Sequence, residues 1–330
     1  MNDLLLKEAI FELKKELDVS IVAHFYQKDE VFEMADFVGD SLELAKWASK
    51  DPKQNLLFCG VGFMGQSVKI LAPNKRVLMP KIACCAMAKM IDAEAYDKSI
   101  LTLDEAGIKK DDIMPVTYIN SSAEVKAKVG EMGGFVCTSA NAKKIISKAV
   151  ESGKKILFLP DRCLGQNIAK DMGLKSCVIG DGSDVREADV LCYDGFCSVH
   201  QLFDVADVEF YRAKYPDILV VVHPECKPEV CNVADFVGST SQIIKYVLGL
   251  PKEQKVVIGT EFNMVNRLRT ENTFVLSSTK PECPTMNETR LQDVYNVLLS
   301  IKNGDFANEI HVDENTRFWA KKALDRMFEV

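Results

Sequence analysis

The chain has 330 residues, of which 47% are hydrophobic and 27% charged, and 48 acidic residues against 41 basic ones give a formal net charge of −7. That is a globular balance, and its negative excess argues against a nucleic-acid or anionic-membrane surface, either of which needs a basic face. No stretch approaches the length of a membrane span and no export signal opens the chain, so a cytoplasmic protein with reduced thiols is expected from its eleven cysteines.

Along the chain, short apolar runs alternate with amphipathic helical patterns, which predicts parallel sheets covered by helices. Residues 1–110 form a first unit: an N-terminal helix, the run Ile21-Val-Ala-His24, the motif Ala35-Asp-Phe-Val-Gly-Asp-Ser41, and the run Leu56-Leu-Phe-Cys-Gly60. Residues 111–206 form a second, with Met114-Pro-Val-Thr-Tyr118, the weaker motif Gly134-Phe-Val-Cys-Thr-Ser139, and Ile156-Leu-Phe-Leu-Pro160. Residues 207–304 form a third, with Leu219-Val-Val-Val-His223, Ala234-Asp-Phe-Val-Gly-Ser-Thr240, and Val256-Val-Ile-Gly-Thr260. A helical tail over 305–330 carries an apolar stripe that should pack back onto a unit. The spacing from His24 to Ser41 equals that from His223 to Thr240, and the later apolar runs recur about a hundred residues apart. The expected fold is therefore three homologous three-layer α/β/α units with parallel sheets around a pseudo-three-fold axis, sharing a central active site.

Each unit contributes one cysteine in the same phase: Cys85, Cys197 and Cys283. Each should open a helix, where a thiolate is favoured, and no CxxC spacing occurs, which excludes a conventional zinc ribbon or ferredoxin arrangement. Three separate thiolates suit a [4Fe–4S] cluster, one per chain, with one iron lacking a protein ligand. Cys84, Cys226 and Cys231 compete for the same role, whereas Cys59, Cys137, Cys177 and Cys192 lie in apolar runs and read as buried packing.

Polar groups gather at the ends of the apolar runs, where open α/β sheets bind ligands. His24 with Tyr26, and His223 with Glu225, have the i and i+2 spacing of acid/base pairs, and Tyr118 with Asn120 repeats it. Ser41, Ser139 and Thr240 each precede a helical stretch, as N-caps do, and three such helix starts attract anions. His200, one turn past Cys197, is placed to support a cluster ligand.

Taken together, His24-Phe-Tyr26, Ala35–Leu44, Phe58-Cys-Gly-Val, Phe63-Met-Gly, Cys85-Ala-Met-Ala, Tyr118-Ile-Asn120, Cys137-Thr-Ser-Ala-Asn-Ala142, Pro160-Asp, Gly195-Phe-Cys-Ser-Val-His200, His223-Pro-Glu-Cys226, Gly238-Ser-Thr-Ser241 and Cys283-Pro-Thr-Met286 resemble the quinolinate synthase family over about residues 21–300. The resemblance implies a [4Fe–4S] cluster on Cys85, Cys197 and Cys283. It implies condensation of iminoaspartate with dihydroxyacetone phosphate to quinolinate, with loss of phosphate and two waters, for NAD synthesis. It implies substrate contacts from His24, Ser41, Tyr118, Ile119, Asn120, Ser139, His223, Pro224, Glu225 and Thr240, with catalytic roles for Tyr26, Glu225, His24 and His223. An aspartate oxidase or dehydrogenase would supply the short-lived imine.

Four positions depart from the family's usual residues: Gly62, Gln66, Cys163 and Tyr193. The residues alone also admit another [4Fe–4S] hydro-lyase acting on a small carboxylic acid, a non-catalytic iron–sulfur sensor, or a three-cysteine zinc site.

Overall fold

The computed structural model describes residues 3–330, which form three all-parallel sheets and their covering helices. The first sheet holds β1 (Val19–His24), β2 (Phe37–Gly39), β3 (Asn55–Cys59) and β4 (Arg76–Leu78). The second holds β5 (Ile113–Tyr118), β6 (Phe135–Cys137), β7 (Lys155–Leu159), β8 (Ser176–Val178) and β9 (Val190–Cys192). The third holds β10 (Leu219–Val222), β11 (Phe236–Val237), β12 (Val256–Gly259) and β13 (Thr273–Val275). This α/β architecture is consistent with three α/β/α units. All six residues of β1 are buried, polar Ser20 and His24 included, as expected for a parallel strand covered on both faces.

Strand order explains where chemistry can sit. The orders are β2-β1-β3-β4, β6-β5-β7-β9-β8 and β11-β10-β12-β13. In each sheet the chain leaves its first strand toward one edge and then crosses to the other side. The carboxyl ends of β1, β5 and β10 are therefore topological switch points, where the diverging connections leave a crevice. His24 ends β1, Tyr118 ends β5 and His223 directly follows β10.

The register accounts for the weaker motif of the second unit. His24 pairs with Gly39 and Val222 with Val237, but Tyr118 pairs with Cys137, a longer loop. The extra chain is helix Ala123–Glu131 of 9 residues, where the other two crossovers have helices of only 4 and 6.

The described chain divides into two compact units, residues 3–85 with 283–317 and residues 86–282 with 318–330. Helix Leu291–Lys302, grouped by sequence with the third repeat, packs instead in the core of the first sheet with helix Asp3–Glu16. Leu6, Ile10 and Leu13 share that core with Leu291, Val294, Leu298 and Ile301. Two amphipathic stripes cover each other there, a pairing that no local pattern reveals. The end of helix Glu314–Glu329 packs on the second unit, where Arg326 donates to the Gly134 carbonyl at 3.0 Å. Trp319 lies so close to Gly130 that any side chain there would strike its carbonyl oxygen.

Candidate functional site

The three cysteines singled out by repeat phase share one local geometry. The first residue of a helix donates its backbone N–H to the carbonyl two residues before each cysteine. Gly62 donates to Ala83 at 2.8 Å, Arg162 to Gly195 at 2.8 Å and Phe262 to Pro281 at 2.9 Å. The donors are a hundred residues apart, and Cys85, Cys197 and Cys283 follow the acceptors at one fixed offset. Cys84, Cys226 and Cys231 do not share this position. Ile82-Ala-Cys is not itself a strand: β4 ends at Leu78, and Ala83 only bridges to Val61. Nor does a long helix follow any of the three. Cys85 precedes the single turn Ala86–Lys89, while the carbonyls of Cys197 and Cys283 accept from Gln201 and Asn287 in one helical turn.

Burial separates these thiols from six of the other eight. Cys85, Cys197 and Cys283 are half-buried, whereas Cys59, Cys137, Cys163, Cys177, Cys192 and Cys226 are buried. Burial pushes the Cys59, Cys137 and Cys192 thiols far up, which keeps them protonated and inert. Half-buried Cys231 is also pushed up, to about 12, first by burial. Half-buried thiols at equivalent turns are each the kind of soft donor that an iron–sulfur cluster takes.

The two histidine turns are copies of each other. The Tyr26 N–H donates to His24 Nδ1 at 3.2 Å, and the Glu225 N–H donates to His223 Nδ1 at 3.3 Å. Gln27 N–H donates to the His24 carbonyl and Cys226 N–H to the His223 carbonyl, both at 3.0 Å. An accepting Nδ1 places the ring hydrogen of the neutral imidazole on Nε2. Both histidines are buried, at 5% and 2% exposure, so each ring is fixed in orientation and tautomer.

Glu225 is the most heavily engaged acid of the site. Tyr118 Oη donates to its Oε1 at 2.6 Å and His200 Nδ1 to its Oε2 at 3.0 Å. His200 Nε2 meets Thr260 Oγ1 at 3.1 Å, and its ring stacks on His223 with centroids 4.6 Å apart. Burial raises the carboxyl's pKa, but His223 and His200 and the bonds from His200 and Tyr118 outweigh it and hold it at about 2. Asp161, fully buried nearby, is pushed the other way, by burial first and then by the charge of Glu225. Its Oδ1 caps a helix by accepting from Leu164 N–H at 2.8 Å, while Oδ2 has no protein partner. The two buried carboxyls are thus shifted in opposite directions, Glu225 toward the ionised form and Asp161 toward the protonated one.

Cys197, His200 and Glu225 each bring a ligand atom within 4.8 Å of the others, a set that could hold a metal ion. Both oxygens of Glu225 and both nitrogens of His200 are already hydrogen-bonded within the protein, so the set reads as a polar network ending near a thiol. His200 thus supports Glu225 directly, a role that its one-turn spacing from Cys197 did not suggest.

The capping assignments need correction. Ser41 and Thr240 are the first helical residues, and the caps are Asp40 and Ser239, each completing a capping box with Glu43 and Gln242. The sequence signals Asp-Ser-Leu-Glu and Ser-Thr-Ser-Gln carry that box. Ser41 and Thr240 therefore stand in the first turn, where Asp40 accepts from the Leu42 and Glu43 N–H groups and Ser239 accepts from that of Gln242. Ser139 lies in the turn before helix Ala142–Val150, whose preceding residue is Asn141. It lines a cavity of about 580 Å³ with Lys143, Asn167, Pro224, Gly238 and Gln242.

Asn120 follows β5 at its switch point, and its Oδ1 is buried with no protein partner, an acceptor awaiting a donor. Ile119 is buried, its N–H bound to the Cys137 carbonyl at 2.8 Å. Of the four departing positions, Gly62 makes the turn bond described above, Tyr193 donates to the Met90 carbonyl at 2.7 Å, and Cys163 accepts from Gln201 at 3.4 Å. Gln66 lies in helix Gly62–Leu71.

Fold and site together define an α/β enzyme with acid–base groups at sheet switch points and soft donors at matched turns. The family described as quinolinate synthetase A protein matches residues 8–329, nearly the whole chain. The quinolinate synthase of Helicobacter pylori strain HPAG1 is 56% identical, covering 100% of this chain and 98% of its own length. Those of Caldicellulosiruptor bescii and Streptomyces coelicolor are each 41% identical, covering 100% and 94% of this chain and 100% and 84% of their own lengths. The chain belongs to the quinolinate synthetase A family. Among the described residues no helix is long and apolar enough to cross a membrane.

Proposed function

We propose that this protein is a quinolinate synthase that condenses iminoaspartate with dihydroxyacetone phosphate, releasing phosphate and two waters. The observation that carries the reading is the pair of matched histidine turns, one presenting Tyr26 and the other Glu225, in a chain that belongs to this family. The substrates bring carboxylates and a phosphate. Ser41, Ser139 and Thr240, at or just before helix starts, supply hydroxyls for them. Tyr118, Ile119, Asn120, His223 and Pro224 complete the substrate contacts, with the orphaned Asn120 Oδ1 accepting from a substrate N–H or O–H.

Glu225, held ionised by Tyr118 and His200, takes part in proton transfer during condensation and dehydration. Tyr26, whose ring meets His24 edge-on at 4.7 Å, holds a proton for a leaving oxygen. His24 and His223 direct Nε2–H at developing negative charge. Cys85, Cys197 and Cys283 would each give one thiolate to a single [4Fe–4S] cluster. When bound, the cluster supplies a Lewis acid at the iron that lacks a protein ligand. An aspartate-oxidising enzyme in the same cytoplasmic compartment would supply the imine.

The test is an anaerobic assay of cluster-loaded protein with freshly generated iminoaspartate and dihydroxyacetone phosphate. Stoichiometric quinolinate and phosphate are expected. Phosphate release or dehydration of another carboxylic acid without quinolinate would overturn the assignment.

A further inference from the structure

Two side chains given no functional role so far repeat one device. Lys126, on the buried face of helix Ala123–Glu131, has no exposed surface. Its Nζ donates to the Ile119 carbonyl at 2.8 Å and also to the Ser121 carbonyl. Those carbonyls flank Asn120. Asn167, on helix Arg162–Asp171, does the same with an amide. Its Nδ2 donates to the Pro224 carbonyl at 2.8 Å and the Cys226 carbonyl at 2.9 Å, with Cys231 Sγ at 3.2 Å. Those carbonyls flank Glu225.

We propose that Lys126 and Asn167 are positioning residues, each straddling one functional side chain by binding the carbonyls on both sides of it. The inference rests on the roles given above to Asn120 and Glu225. A donor bridging carbonyls i−1 and i+1 holds the peptide plane before residue i and the plane after residue i+1, which brackets residue i and narrows the directions open to its Cα–Cβ bond. These loops leave strand ends, where the ladder no longer fixes the backbone, so a bridging donor replaces the missing ladder bonds. The supporting helices differ in each case: one is the long crossover peculiar to the second sheet, the other the helix capped by Asp161. Within the same loops, Ser121 N–H donates to the Ile119 carbonyl at 2.8 Å and Cys226 N–H to the His223 carbonyl at 3.0 Å. Those two amides report on whether each clamp is closed.

The experiment uses cluster-loaded full-length protein and the variants Lys126→Met, Lys126→Gln, Asn167→Leu and Asn167→Asp. Hydrogen exchange should rise about tenfold at Ser121 in the Lys126 variants and at Cys226 in the Asn167 variants, each leaving the other loop unchanged. Lys126→Gln, which keeps an amide donor, should fold with a smaller change should Lys126→Met fail to fold. In the quinolinate assay, Asn167→Leu should lower kcat about ten- to a hundredfold, and Lys126→Met should act chiefly on KM. Added to Glu225→Gln or Asn120→Ala respectively, each should cost less than about twofold more, because residues acting through one group are not additive. Unchanged exchange in the clamped loop, exchange rising equally in both loops, or full additivity would overturn the proposal. Should the wild type make no quinolinate, the proposed function fails while the exchange result still decides the clamps.

Discussion

The turn after β1 and the turn after β10 share one hydrogen-bond plan and differ in what the plan presents. In both, a buried histidine accepts the N–H two residues on through Nδ1. The first turn ends in the phenol of Tyr26. The second ends in a carboxylate held at about 2 by two histidines and a tyrosine against the opposing effect of burial. One backbone solution therefore presents a phenol in one turn and an ionised carboxylate in the other, and the difference lies in a single side chain and its neighbours.

The sharpest break in that comparison is Glu225→Gln, which keeps the shape and removes the charge. It should lower kcat by about 10²–10⁴-fold in the quinolinate assay, the range for a lost acid–base group. Tyr26→Phe should act in the same range, but only by removing a proton donor. Next come His24→Asn and His223→Asn. Asparagine retains an acceptor near the Nδ1 position and lacks Nε2, so each variant should melt close to wild type while losing most activity. A large drop in melting temperature with activity retained would reverse the roles given to the two nitrogens.

Tyr118→Phe should cost about 2 kcal/mol in chemical denaturation at pH 7, for a buried bond to an ionised partner. The Glu225 pKa is depressed in the folded state. Its stabilisation is therefore fully present above the unfolded value of roughly 4.3 and fades as pH falls toward 2. The gap between Tyr118→Phe and wild type should narrow over the same window.

Lys126 gives the same sign, a rise of stability with pH, in a higher window. Burial lowers its pKa to about 7, against the opposing effect of Glu124, so the unfolded chain binds the extra proton between pH 7 and roughly 10.5. Wild-type stability should gain on the order of a few kcal/mol from this group across that window, and Lys126→Met should lack the rise. Equal slopes for the two proteins would show that the ammonium is not desolvated.

Sequence made the strands, their ends and the repeat legible, because β-branched runs and polar terminators are local signals. The cysteine set was legible from the repeat, since one cysteine follows the later apolar run of each unit. Ser41 and Thr240 were read one residue out of place in their helices, because Asp40 and Ser239 compete for the cap and the box partners Glu43 and Gln242 decide it. Lys126, Asn167 and Asp161 were not legible. A lysine and an asparagine on helices read as solvent-facing, and only the fold brings them beneath Asn120 and Glu225. His200 was noticed for its distance from Cys197, while its hydrogen-bond partners, Glu225 and Thr260, are 25 and 60 residues away in sequence. The seating of helix Leu291–Lys302 on the first sheet was equally hidden.

Iron and acid-labile sulfide per chain, measured on anaerobically purified wild type, Cys197→Ser and Cys177→Ser, test the central claim most directly. Cys177 is buried in β8 and Cys197 sits at one of the three matched turns. The account predicts about four of each in wild type and Cys177→Ser, and loss of both with loss of activity in Cys197→Ser. Equal iron in the two variants would contradict it.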